Sequence, residues 1–100
     1  MKIPSEFKIG ALTYKVQIKK KLNRSGHCWG RSYLGPRVIV LATHGSKGAL
    51  TKSEMAATFW HEVMHCMLFQ MGHALWNDEA FVDAMGMNME HLLRTAKFKD

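Results

Sequence analysis

The strongest constraint on the fold is a long amphipathic segment between Thr51 and Gly72. Apolar residues recur through it at helical spacing, and Thr51 stands three residues before Glu54, as in a capping box. Gly72 suits the left-handed end of a helix. The segment predicts a helix over about 51–71, roughly 30 Å long. In a chain of 100 residues, every other element has to pack around it.

The residues before this helix have the alternating pattern of β-strands. Leu12–Lys19 alternates apolar and polar side chains, which is typical of a strand with one buried face. Glu6–Ile9 precedes it across a tight turn at Gly10 and Ala11, so the two segments predict a hairpin.

Two more strands are expected over residues 27–34 and 37–43, on either side of Gly35 and Pro36. The second contains an unbroken apolar run, which predicts burial on both faces. We therefore expect a small antiparallel sheet of three or four strands, followed by a loop over 43–50.

A second helix is expected over about 78–97, with Asn77 as its N-cap. Acidic residues stand in its first turn and basic residues in its last, which matches the helix dipole. Together the patterns predict an α+β fold in which a small sheet packs on two long helices. No linker or repeat divides the chain, so we expect a single domain over 1–100.

Composition bounds the kind of protein. No apolar run approaches the roughly 20 residues of a membrane span. Two cysteines are too few for a secreted disulfide scaffold, so we expect free thiols and a soluble, cytoplasmic protein. The formal charge of +6 favours anionic partners without identifying one. The basic residues near Lys15 and Lys19 lack interleaved aromatics, so we interpret them as a solvated face rather than a nucleic-acid site.

The long helix contains the pattern His61-Glu62-Val63-Met64-His65. Spacing of four residues puts both imidazoles on one helical face, where they can bind the same Zn²⁺. Glu62 lies about 100° around the helix from His61, close enough to act on a water molecule at the metal. The pattern predicts His61 and His65 as metal ligands and Glu62 as a general base.

A catalytic zinc site needs a third protein ligand, for which we choose Glu79 at the start of the second helix. Asp78 and His73 are the alternatives. Asp83, four residues after Glu79, is expected to accept a hydrogen bond from the distal nitrogen of a ligating histidine. Gly86, on the same face, would permit close packing of the two helices.

These residues resemble the gluzincin metallopeptidases, in which a second helix supplies a glutamate ligand. The 13-residue gap between His65 and Glu79 is similar to that of the minigluzincins, compact domains that include phage and prophage proteins. The resemblance covers about Thr51 to Arg94. It implies a minimal zincin-like fold, a zinc cofactor, a peptide or protein substrate lying along an edge strand, and hydrolysis by zinc-activated water.

The oxyanion-stabilising residue of such an enzyme is not evident from the motif. His44, Tyr33 and His73 are the candidates for contact with the substrate or the oxyanion. Two other functions stay open at this stage. One is a non-hydrolytic, peptidase-like zinc module that binds a protein partner, and the other is a basic nucleic-acid-binding protein that holds zinc.

Overall fold

The fold consists of six strands and two helices over residues 1–99, which a computed structural model describes. In chain order they are β1 Glu6–Ile9, β2 Leu12–Lys19, β3 Gly30–Tyr33, β4 Val38–Ala42, β5 His44–Gly45, β6 Gly48–Ala49, α1 Lys52–Gln70 and α2 Glu79–Thr95. The first four strands form one sheet, and β5 and β6 form a separate hairpin. The predicted α+β class is confirmed.

The most apolar strand lies inside the sheet. The strand order is β1-β2-β4-β3, so β4 separates β2 from β3. Consecutive strands alternate in direction along the chain, and this order therefore makes β4 antiparallel to β3 but parallel to β2. The sheet is mixed, and the predicted antiparallel sheet is wrong. The central position suits β4 because four of its five residues are buried, whereas the more polar β3 lies at the edge.

The predicted bounds of β1 and β2 are confirmed, but the later strands are shorter than expected. β3 covers Gly30–Tyr33 within the predicted 27–34, and β4 covers Val38–Ala42 within 37–43. The predicted loop over 43–50 instead contains β5 and β6, each two residues long.

Both helices begin at a side-chain cap. Thr51 and Glu54 form the predicted capping box of α1, and Gly72 follows the helix with a φ of +69°. The cap of α2 is Asp78 rather than the predicted Asn77, because the Asp78 carboxylate accepts a hydrogen bond from the Phe81 amide at 2.9 Å. In the part of the chain that the structure describes, no helix is long and apolar enough to cross a membrane.

The helices pack on one face of the sheet and directly on each other. The core joins sheet residues such as Ile39 and Leu41 to Val63 of α1 and Val82 of α2. At the helix crossing, a Cβ on Gly86 would lie 2.7 Å from the backbone nitrogen of His61, so only glycine fits there without a shift. This confirms the close helix packing expected at Gly86 and sets the first turns of α2 against the middle of α1.

Candidate metal centre

The middle of α1 and the start of α2 bring three potential metal ligands together. His61 and His65 lie one turn apart on α1, and Glu79 is the first residue of α2. The two Nε2 atoms are 3.1 Å apart, and each lies 3.1 Å from a carboxylate oxygen of Glu79. The three residues each offer one ligand atom within 4.8 Å of the others, so they form a group that can hold a metal ion.

Hydrogen bonds at the outer ring nitrogens determine which nitrogen faces the centre. His65 Nδ1 lies 2.7 Å from the backbone oxygen of Trp76. A carbonyl oxygen only accepts, so Nδ1 carries the proton. His61 Nδ1 lies 3.3 Å from Asp83 Oδ1, an oxygen that accepts in the same way. In the neutral imidazoles, both Nε2 atoms therefore direct lone pairs at the centre.

The donor atoms fit a small divalent cation. Two imidazole lone pairs and a carboxylate held this close repel one another unless positive charge lies between them. Tetrahedral zinc, with bonds of about 2.0–2.1 Å, requires donor atoms about 3.3–3.4 Å apart. The observed separations of 3.1 Å are close to that requirement. Three protein donors would leave a fourth coordination position for water or substrate.

Glu62 lies beside the centre without being one of its three donors. Its side chain is buried, and its Oε2 lies 3.9 Å from His61 Nε2. Its other oxygen, Oε1, accepts a hydrogen bond of 2.7 Å from the Ser32 hydroxyl. The carboxylate is thus held between the strand β3 and the histidines of α1.

The surroundings of Glu62 raise its pKa. Desolvation by burial is the largest cause, and the nearby charge of Glu79 acts in the same direction. The hydrogen bond from Ser32 and the positive field of His61 and His65 lower the pKa, but the net shift is upward. An upward shift brings a carboxylate closer to the pKa that favours general acid–base catalysis near neutral pH.

Two residues of β3 fit against this carboxylate, and sequence reasoning missed both. A Cβ on Gly30 would lie 2.6 Å from the Thr58 methyl group and 3.1 Å from Glu62 Cγ, so the strand approaches α1 more closely than another residue would allow. A glycine inside a predicted strand is a signal of such an approach. Nothing in the sequence marks Ser32, because its role depends on which strand lies beside α1.

Two cavities flank Glu62 along β3. One, of about 470 Å³, is lined by apolar groups such as Trp29, Ala57 and Met87. The other, of about 420 Å³, is more polar and is lined by Arg31 and Tyr33 among others. Both cavities share Gly30, His61 and Glu62. Since β3 is the last strand of the sheet, its free edge borders a cleft that passes the candidate metal centre.

The structure brings most of the predicted site residues together. Asp83 contacts His61, and Tyr33 lines the cavity beside Glu62. His44 lies in β5 with its Nδ1 2.8 Å from the Thr43 hydroxyl, and it lines neither cavity. His73 is exposed, its Nδ1 accepts a hydrogen bond from the Leu75 amide, and it also lies outside both cavities.

Comparison with protein-family models, with curated proteins and with solved structures found no match. No family membership follows from these comparisons. The side chains of the site are therefore the basis for the functional conclusion.

Proposed function

We propose that this protein is a zinc-dependent metallopeptidase that hydrolyses peptide bonds, with Glu62 as general base. The observation that supports it most is the convergence of His61, His65 and Glu79 on one centre beside the buried Glu62 carboxylate. Two histidines and one glutamate with an open fourth position are typical of catalytic zinc, whereas structural zinc sites are usually closed by four protein ligands. The gluzincin-like motif points to the same chemistry.

Proton transfer in this mechanism belongs to Glu62. Zinc, when bound, would polarise a water molecule and the scissile carbonyl group. Glu62 takes the proton of the attacking water on Oε2, the oxygen nearer His61, while Ser32 holds Oε1. The protonated carboxyl group then gives that proton to the leaving amine nitrogen.

Substrate binding in this mechanism uses the free edge of β3. An extended peptide can pair with the unpaired backbone groups of an edge strand, and its side chains then enter the cavities on either side of Glu62. Tyr33 lines one of these cavities, so among the three candidates named from the sequence it is the one we assign to hydrogen bonding with the oxyanion.

The decisive experiment measures zinc content by elemental analysis and cleavage of an unfolded protein by the same preparations. Wild type should hold one zinc and cleave, and Glu62→Gln should hold zinc without cleaving. Glu79→Ala should lose zinc affinity. Asp78→Ala is the matched control, because Asp78 caps α2 and is not one of the three donors, so its loss should lower stability by about 1 kcal/mol and leave the metal in place.

The outcomes separate the competing functions. Cleavage by Glu62→Gln at the wild-type rate would contradict the assigned base. Zinc without cleavage in the wild type would favour the non-hydrolytic binding module, and absence of zinc from the wild type would reject a zinc enzyme. His73→Ala should retain zinc, because the His73 ring lies outside the group of donors.

A further inference from the structure

Charge is divided unequally between the two halves of the chain. Residues 1–50 contain ten lysines and arginines against one acidic residue, Glu6, which gives a formal charge of +9. Residues 51–100 contain four basic residues against seven acidic ones, which gives −3. Because the first half forms the sheet and the second half the helices, positive charge collects on the sheet.

Much of this charge lies on the sheet face opposite the helices. Side chains alternate along the strands, and those that face the helices, such as Val16 and Ile39, pack in the core. On the other face, a groove of about 350 Å³ crosses β2, β4 and β3. Its lining includes Gln17, Lys19, Lys21, Arg31, Tyr33 and Val40.

The cations of this groove are available to a partner. Within residues 1–99, the lysine and arginine ion pairs are Lys15 with Glu6 and Arg94 with Glu90. Lys19, Lys21 and Arg31 therefore have no carboxylate within 4.0 Å in the part of the chain that the structure describes. An anionic ligand would meet these charges without displacing an internal partner.

The groove is continuous with the cleft of the candidate metal centre. Arg31 and Tyr33 of β3 line both the groove and the cavity beside Glu62. A polypeptide that leaves the cleft over the edge of the sheet therefore reaches Lys19 and Lys21 next. The positions for a bound segment and for hydrolysis lie on the two sides of a single edge strand.

We propose that this groove binds an acidic segment of the polypeptide substrate. That the bound segment belongs to a substrate rests on the proposed peptidase function, whereas the binding itself does not. Gln17 and Lys19 are alternate residues of β2, about 6.6 Å apart, which is also the spacing of alternate side chains in an extended peptide. Single-stranded nucleic acids are held by several stacked aromatics, and Tyr33 is the aromatic residue that lines this groove.

Binding is tested with a fluorescein-labelled decaglutamate peptide, by fluorescence anisotropy, on Glu62→Gln protein that cannot cut it. The groove variant combines Lys19→Glu, Lys21→Glu and Arg31→Glu. The control combines Lys52→Glu, Lys97→Glu and Lys99→Glu, residues that do not line the groove. Each set changes the formal charge of +6 to 0. Circular dichroism verifies that both variants fold.

The groove variant should bind the peptide at least about tenfold more weakly, and the control should change by no more than about twofold. Raising the salt from about 50 mM to about 500 mM should abolish wild-type binding, since contacts at the surface are screened. Equal losses in the two variants would show diffuse attraction and overturn the proposal, as would undiminished binding by the groove variant. Tighter, groove-dependent binding of decathymidylate would identify a nucleic-acid surface instead.

Cleavage assays then test whether the bound segment belongs to the substrate. A decaglutamate tail added to a protein that the wild type cleaves should lower KM about tenfold, and the groove variant should lose this preference while keeping its kcat. A wild type without hydrolysis would reject the peptidase and leave the binding result intact. A tail without effect on KM would reject the substrate role alone.

Discussion

Ser32 links the edge strand to the carboxylate that we assign as general base. Its hydroxyl donates to Glu62 Oε1 at 2.7 Å and approaches the Glu62 backbone oxygen at 3.2 Å. This contact holds one carboxylate oxygen, so the other is directed towards the histidines. It also lowers the pKa of Glu62 against the larger upward effect of burial.

Ser32→Ala should therefore reduce kcat about tenfold or more, the cost of losing a hydrogen bond to a charged group. Zinc content should not change, because Ser32 is not one of the three donors. The acid limb of the pH–rate profile should move to higher pH, since removal of a contact that lowers the pKa of Glu62 lets that pKa rise. Steady-state kinetics between about pH 5 and 8 measures both effects.

Ser32→Thr is the matched control, because it keeps the hydroxyl group. It should recover most of kcat and the wild-type acid limb. Equal loss in both variants would mean that the site tolerates only the volume of serine, and an unchanged profile in Ser32→Ala would contradict the positioning role.

Cys66 gives a separate prediction at the residue scale. Burial raises the pKa of this thiol from its ordinary value of 9.0 to about 11. Between these values the unfolded chain ionises while the folded chain stays neutral, so rising pH favours unfolding. The free energy of unfolding should fall by at most about 2–3 kcal/mol between pH 8 and 11. Urea denaturation at both ends of the range should show a smaller decline in Cys66→Ala, and an equal decline would contradict the assignment.

At the scale of the elements, the crossing of α1 and α2 aligns the ligands. Gly86 of α2 lies against the backbone of His61, which lets the first turns of α2 reach the histidines of α1. Glu79 and Asp83 then contact His61 from the same direction, at 3.1 and 3.3 Å. A small separation of the helices would therefore disturb two contacts of one metal ligand.

Gly86→Ala should destabilise the fold by about 1–3 kcal/mol, because its Cβ would meet backbone atoms of His61 that cannot rotate away. Zinc affinity should fall as well, since Glu79 moves with α2. Gly35→Ala is the control, because a Cβ there would meet nothing within 4 Å. Urea denaturation and zinc titration measure the two effects. A Gly86→Ala protein with wild-type stability would show that the helices separate without cost.

At the scale of the whole molecule, the proposed zinc would tie the two helices together in a chain of only 100 residues. A ligand that binds only the folded state stabilises it by about 4 kcal/mol at a thousand times its Kd. Each kcal/mol corresponds to about 4–8 °C in Tm for a domain of this size. Removal of metal by a chelator should therefore lower Tm by well over 10 °C, and added zinc should restore it.

Glu62→Gln should show the same metal-dependent shift in Tm as the wild type, because Glu62 is not among the three donors. His65→Ala should show little shift, since it lacks one of them. Differential scanning calorimetry with and without zinc measures all three proteins. A shift that persists in His65→Ala would place the stabilising metal elsewhere.

Local patterns in the sequence were sufficient for the elements and for the members of the metal group. Alternation determined the bounds of β1 and β2, and the capping box and Gly72 determined those of α1, because these features act over a few neighbouring residues. The four-residue spacing of His61 and His65 places both rings on one face of any helix that contains them. The cap of α2 was misplaced by one residue because Asn77 and Asp78 are both good caps.

Tertiary structure decided what depends on which elements become neighbours. Sequence spacing does not determine whether β3 or β4 takes the central position in the sheet, and that choice made the sheet mixed and placed Ser32 beside Glu62. The proton on His65 Nδ1 is likewise fixed by a loop carbonyl, that of Trp76. The basic groove exists because β3 carries Arg31 to the sheet face that already holds Lys19. Such contacts join residues far apart in the chain, and only packing of the whole core selects them.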